Sequence, residues 1–445
     1  MSFPEYHRIA DQHREEIAAL ARDLIRVDTT NTGVMPTGRE TDAATLLLNK
    51  LRENGLEAEI RGRVLERGNL LGALPGRSAR TALLFLSHSD VVPTGDRAQW
   101  THPPFAGVIE DGHLYGRGAA DMKGTVAAQV MALILLHRLG IPLAHTVRLV
   151  CAADEEAGGA YGAGWLAREH PDLLRADVCL NEGGGALVQL EGREWCLLGV
   201  GEKARFEVSA VFHGKGSHAA RPWKGDNAFY SMAAALERLR AYEPDRDTSG
   251  PIFEHLSRVV GPVTPRNLDE VIERLNHASP RLADHLRQVS RLLITPTVLA
   301  GGAKSNVVPD ECRLTCDVRA LPHQPTEYVA EQVRRLLGPC DLQIEQTAAA
   351  NASATPAEVL AMFTEAMRAV LARPIQVVPT ISGAFTDSRF VRGLGVRAYG
   401  FAPGCPESDP SRHNAHGPNE SIAIRDLVVQ TAAYLEIAHR LGATV

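Results

Sequence analysis

Short apolar runs alternate with longer helical stretches over the first part of this chain, and that alternation restricts the fold more than any other feature. Asn69–Leu74, Leu83–Ser87, Val147–Ala152 and Val178–Asn181 read as strands, with helical stretches at 124–139 and 159–169 between them. Strands interleaved with helices predict an α/β layer: a mainly parallel mixed sheet flanked by helices, with function at the carboxyl ends of the strands. Ile17, Leu20, Ala21, Leu24 and Ile25 add a helical stripe over 8–26, and Thr41 or Asp42 is placed to cap a helix ending at Asn54-Gly55. Near residue 204 the pattern changes. Arg205–His213 and Leu314–Ala320 alternate like half-exposed strands, Ala228–Arg240 reads as a helix, and 245–294 is charged and mostly helical. Helices are predicted again at 326–337, 356–371 and 424–440. The expected organisation is a main domain of 1–203 plus 321–445, interrupted by an α+β domain at 204–320.

Composition excludes several classes. With 47 Lys+Arg against 53 Asp+Glu, the net charge of −6 offers no footprint for nucleic acid or an anionic membrane. The apolar fraction of 44% is enough for a large core. The start lacks a basic head followed by an apolar core, so no removable leader is predicted. No apolar run approaches the roughly 18 residues of a membrane span, the richest one near Val130–Leu139 being broken by His137 and Arg138. Seven cysteines, scattered and without a CxxC pair, read as reduced thiols and make the cytoplasm the expected compartment.

Three strand ends, one glycine-rich turn and one late loop carry ionisable groups. His88 and Asp90 follow the strand ending at Leu86, and the period of two puts them on one side. Asp121 lies in Gly116-Arg-Gly-Ala-Ala-Asp-Met-Lys-Gly124, where it could equally cap the following helix. Glu155 and Glu156 follow Val147–Ala152; exposed they are harmless, but buried together they need a cation. Glu182 follows Val178–Asn181, and His416 sits in His413-Asn-Ala-His-Gly-Pro-Asn-Glu420. Each alone has a bland reading as a loop or surface residue. Together they form an oxygen and nitrogen donor set suited to two zinc ions or a comparable pair. No HExxH helix, GxSxG elbow or phosphate loop occurs.

These residues, in this order, resemble the dinuclear zinc family that contains acetylornithine deacetylase, succinyl-diaminopimelate desuccinylase, aminoacylase, carnosinase-type dipeptidases and glutamate carboxypeptidase. The resemblance extends through Ser87-His-Ser-Asp-Val-Val-Pro93, Trp100–Phe105, Gly112–Gly124, Asp154–Gly159, Gly216-Ser-His218, Asn306–Pro309, Asp317-Val-Arg319, Thr386–Arg389 and His416–Glu420. It implies a zinc-exopeptidase-like catalytic domain with an inserted lid or dimerisation domain, and hence a homodimer. It also implies two divalent metal ions, zinc with cobalt or manganese as alternatives. His88 and Glu182 would hold one ion, Glu156 and His416 the other, and Asp121 both. Asp90 would support His88, Glu155 would be the general base for the water shared by the ions, and His218 would stabilise the oxyanion. Arg319, Asn306 and the Gly383 backbone would hold a substrate carboxylate, although Arg319 could equally pair with Asp317 or Asp310. Phe385 departs from the usual Gly-Gly-Thr-Asp or Gly-Ala-Thr-Asp pattern of relatives, and the long stretch 245–294 is absent from compact ones.

The expected activity is hydrolysis of the amide bond of an N-acyl amino acid or small peptide with a free carboxylate. A dipeptidase or aminopeptidase and a carbamoylase of the same fold are the alternatives within the family. A metal-free binding protein is the alternative outside it.

Overall fold

The computed structural model describes residues 5–443 and divides into two compact units. The first comprises 1–200, 353–380 and 386–445; the second comprises 201–352 and 381–385. The expected boundary at 320 therefore moves. Residues 321–352 belong to the second unit because Asp341–Ala348 pairs antiparallel with Ala204–His213. Helix Thr326–Leu337 also buries Val329, Val333, Leu336 and Leu337 in the same core as Phe206 and Val318. Such long-range pairing leaves no mark in local periodicity.

In the first unit, a mixed sheet runs in the order Glu57–Arg61, Asn69–Leu74, His145–Ala152, Ser78–His88, Val178–Asn181, Arg397–Gly400, Arg193–Glu202. Its centre is parallel, from His145–Ala152 across to Arg397–Gly400, and both flanks are antiparallel. The central strands are continuous apolar runs because helices cover both faces. Helix Gly124–Arg138 is buried from Gly124 to Leu136, which explains why it is apolar all round. With the residues from Ala119 it is long and apolar enough to cross a membrane by composition, contrary to the expectation from sequence, yet 89% of that stretch is packed inside the protein.

The helix expected near Thr41 begins at Glu40, and Thr41 does not cap it. Its hydroxyl instead donates to Leu65 O at 2.5 Å and accepts from Gly68 N at 2.8 Å. The predicted helix 8–26 divides into Tyr6–Gln12 and Arg14–Ile25.

The second unit is a four-stranded antiparallel sheet in the order Leu293–Gly301, Glu311–Ala320, Ala204–His213, Asp341–Ala348. The inner two strands alternate as the sequence predicts, burying Phe206, Val208, Leu314 and Val318. The charged stretch 245–294 resolves into helices Pro251–Val260, Leu268–Ala278 and Pro280–Val289, followed by the start of the edge strand. Lys203 joins these helices to the sheet, donating from Nζ to Gln288 O at 3.0 Å and Arg291 O at 2.6 Å.

Candidate metal centre

Strand Ser78–His88 delivers His88 to the carboxyl end of the sheet, where it is 1% exposed. Its Nδ1 lies 3.0 Å from the main-chain oxygen of Asp90. A carbonyl can only accept, so Nδ1 carries the proton and Nε2 presents a lone pair. That lone pair faces Asp121 Oδ1 at 3.3 Å and Glu182 Oε1 at 3.4 Å. On the other side of Asp121, Oδ2 lies 3.1 Å from His416 Nε2, which is 3.2 Å from Glu156 Oε1. The result is two three-residue groups, His88–Asp121–Glu182 and Asp121–Glu156–His416, each with donor atoms within 4.8 Å of one another. The Asp121 carboxylate belongs to both, with one oxygen turned to each.

The donor set fits two divalent cations. A tetrahedral centre with bonds of 2.0–2.1 Å has edges of about 3.3–3.4 Å between its ligand atoms. The Nε2-to-oxygen distances of 3.1–3.4 Å match such edges. The electrostatics of the cluster also call for positive charge. Burial together with the Asp121 charge pushes Glu182 up to about 8. Hydrogen bonds to Asp121 and Glu156 raise His416 to about 10. Burial pulls His88 down, but the Glu182 charge and the contacts with Asp121 and Asp90 outweigh it and hold the ring well above its usual value. A cation supplies that charge without protonating a ligand.

The turn carrying Glu155 and Glu156 is fixed from below. Asp154 adopts φ +66°, which a short polar side chain tolerates. Asp90 was expected to serve His88; its carboxylate chiefly cradles this turn. It accepts Glu155 N at 3.0 Å, Glu156 N at 3.1 Å and Asn31 Nδ2 at 2.8 Å, whereas His88 Nδ1 stands 3.4 Å away. Asn31 Nδ2 also donates to Asp154 Oδ1 at 3.1 Å, and Arg67 donates to Asn31 Oδ1 at 3.0 Å and Glu40 Oε1 at 2.5 Å. Glu155 is 9% exposed, and burial with the Glu182 charge raises its carboxyl well above the ordinary range. Asp387, 2% exposed, is likewise raised by burial, to about 7.

The remaining expected residues lie in the second unit. His218 pairs with Val307 in a two-residue strand contact and accepts Ala220 N at its Nδ1, 3.1 Å away, so Nε2 carries a proton ready to donate. Asn306 accepts Ala219 N at its main-chain oxygen, 3.0 Å away, next to that contact. Arg319 takes the structural pairing considered from sequence: Nε donates to Asp317 Oδ1 at 2.7 Å. Its NH1 donates to the Gly383 carbonyl at 3.3 Å, and the guanidinium lies 5.7 Å from the Phe385 ring centre. Gln288, from the helical insertion, covers Gly383 so closely that a Cβ there would meet its side chain at 2.3 Å.

Asn31, Glu40 and Arg67 were missed by the sequence reading, and Asp154, inside a quoted motif, was given no role of its own. The first three are polar residues of no recognisable spacing, and only their burial marks them. Arg117 and Glu420 lay inside the quoted motifs without a role.

Residues 84–440 match Peptidase family M20/M25/M40, and the chain belongs to this family. It is a metal-dependent amidohydrolase, and dinuclear metal-binding peptidases are found in the same family. Succinyl-diaminopimelate desuccinylase of Stenotrophomonas maltophilia is 28% identical over 364 residues, covering 81% of this chain and 84% of that protein. The M20 family metallo-carboxypeptidase Sso-CP2 of Sulfolobus solfataricus superposes with a TM-score of 0.71 at 21% identity, over 96% of this chain and 100% of that one. The YXEP protein of Bacillus subtilis, a dinuclear metal binding peptidase, superposes with a TM-score of 0.60 at 15% identity, over 98% and 100%. At those identities the two structures speak for the fold.

Proposed function

We propose that this protein hydrolyses the amide bond of an N-acyl amino acid, or of a small peptide with a free carboxylate, using two divalent ions and Glu155. The observation that carries the reading is the Asp121 carboxylate, which faces a histidine and an acid with each of its oxygens. His88, Asp121 and Glu182 would hold one ion, and Asp121, Glu156 and His416 the other. When bound, such a pair lowers the pKa of water and polarises a carbonyl oxygen. Glu155 takes the proton of the attacking water and returns it to the departing amine, from a buried position on the turn that Asp90 holds. His218 donates from Nε2 to the developing oxyanion. Arg319, Asn306 and Gly383 recognise the substrate carboxylate, with Arg319 held in place by Asp317.

The desuccinylase relatives favour an N-acyl amino acid over a dipeptide. Zinc is the ion expected of this donor set, with cobalt and manganese able to replace it. Seven unpaired cysteines support a reducing compartment, the cytoplasm. A homodimer through the second unit is supported by its edge strand Leu293–Gly301, where Val298 and Leu299 are each 56% exposed. Val298→Lys with Leu299→Glu is expected to convert a sedimenting dimer to monomer; unchanged sedimentation of a dimer would exclude this edge.

The activity test is amine release from a panel of N-acyl amino acids and dipeptides. Metal-stripped protein, zinc- or cobalt-reloaded protein and reloaded Glu155→Ala are compared. Turnover only in reloaded wild type is expected. Dipeptides alone being cleaved would favour the peptidase reading, and ammonia with carbon dioxide as products would favour a carbamoylase. A reloaded enzyme inert on the whole panel would sink the proposal.

A further inference from the structure

We propose that Arg117 and Glu420 act as positioning residues, a buried clamp that sets the two metal positions against each other. The proposal rests on the reading of Asp121 and His416 as ligands. Two short strands, His113–Tyr115 and Ser421–Ala423, pair antiparallel and bring the two side chains together. Arg117 NH1 donates to Glu420 Oε2 at 2.6 Å, with side chains 1% and 0% exposed. The guanidinium also lies 5.2 Å from the Trp100 ring centre, and the remaining side-chain hydrogen bonds of the pair all fall on the main chain of loops that carry candidate ligands. Glu420 Oε1 accepts Asp121 N at 3.0 Å and Ala120 N at 2.8 Å, and Oε2 accepts Gly118 N at 3.0 Å. Arg117 NH2 donates to His416 O at 3.2 Å and to Pro93 O at 3.3 Å, the latter in the loop that follows Asp90.

Both loops need such support. Gly118 adopts φ +87°, and a Cβ there would meet Val91 Cγ1 at 2.7 Å. His416 itself sits at φ +63°, flanked by Asn414 at +43° and Asn419 at +56°. A histidine in that conformation persists only where its surroundings hold it. Arg117 holds it through the carbonyl, while the same guanidinium grips the acid that fixes the Asp121 amide. A buried ion pair is weak evidence for stability, since apolar residues of equal volume often do as well. Ion pairs of this kind are better explained by what they orient. The planar fork of arginine reaches Glu420, His416 O and Pro93 O at once, which a lysine ammonium on a flexible stem does not reproduce.

The test uses the full chain as Arg117→Lys, Arg117→Met and Glu420→Gln. Co2+ and Zn2+ affinities are measured by chelator competition, the Co2+ site by its visible absorption, and melting temperature with and without metal. The expected result is a roughly 10–100-fold loss of affinity, the range for residues that orient metal ligands. For the arginine variants the loss is larger at Asp121–Glu156–His416, since Arg117 reaches His416 directly and the shared Asp121 only through Glu420. The Co2+ spectrum changes, and the rise in melting temperature on metal loading shrinks. A pure fold staple would lower the apo and loaded melting temperatures equally and leave affinities and spectrum unchanged; that result overturns the clamp. So would failure of all three variants to fold, because Arg117→Lys retains the charge opposite Glu420. Wild type that binds no cation would overturn the reading of the ligands as well. Wild type binding two ions, with variants identical to it, would overturn the clamp alone.

Discussion

At the scale of single residues, the decisive arrangement is an acid buried among other acids. Glu155 sits beside Glu156 and feels Glu182, so its proton affinity is high before any substrate arrives. Glu155→Gln keeps shape and removes the proposed base. It is expected to lower kcat about 10²–10⁴-fold, as for other general bases, with metal content by elemental analysis unchanged. Asn31 plays a different part, since its single amide touches Asp90, Asp154 and Arg67. Asn31→Ala leaves buried polar groups short of partners and should destabilise the protein by about 1–3 kcal/mol, read from urea unfolding of the metal-free form. The candidate ligands that the structure brings together stood out in the sequence because each follows an apolar strand or sits in a distinctive loop. Asn31 could not, because its importance comes from three partners distant in sequence.

At the scale of elements, the turn from strand His145–Ala152 into helix Ala163–Glu169 does most to shape the site. Gly162 closes it, and a Cβ there would fall 1.7 Å from the Ala153 carbonyl oxygen. Since that neighbour is backbone, Gly162→Ala must displace the turn bearing Glu155 and Glu156. A loss of about 1–3 kcal/mol is expected, together with weaker metal binding by chelator competition. Unchanged unfolding would mean the turn relaxes freely. Three of the four central strands were legible because full burial writes itself as runs of Val, Leu and Phe, whereas Arg397–Gly400 is too short and mixed to show one. The outer elements were not. Leu293–Gly301 carried no strand assignment, its first two residues falling in the helical stretch 245–294, and Asp341–Ala348 was placed in the main domain, since an exposed edge strand carries little apolar alternation. The helix start at Glu40 was displaced because Thr41 found Leu65 and Gly68 as partners.

For the whole molecule, two dependences on solution conditions follow. Glu16 accepts from Arg138 NH1 at 2.7 Å and NH2 at 2.9 Å and from Lys50 Nζ at 2.8 Å, joining three helices of the first unit. The Arg138 hydrogen bonds, with Lys50, hold its carboxyl at about 2 against the burial that opposes them. Its folded value lies below its unfolded one, so the stability it adds is present above about 4.5 and lost as pH falls towards about 2. Glu16→Gln should flatten that part of the acid unfolding curve and leave the neutral region nearly parallel to wild type. If cations neutralise His88–Asp121–Glu182 and Asp121–Glu156–His416 as proposed, chelation should lower the melting temperature. Zinc at about 100 times its Kd would then restore about 2.7 kcal/mol for each ion bound.

The ligands of these two groups are drawn from both sides of the interposed second unit, and this has a consequence in time. A ribosome adding roughly 5–20 residues each second releases His88 on the order of tens of seconds before His416. Throughout that interval the nascent chain holds at most one finished cation position. On the proposed two-ion reading the hydrolase is therefore born inert and becomes competent only after the loop bearing His416 has emerged and folded back.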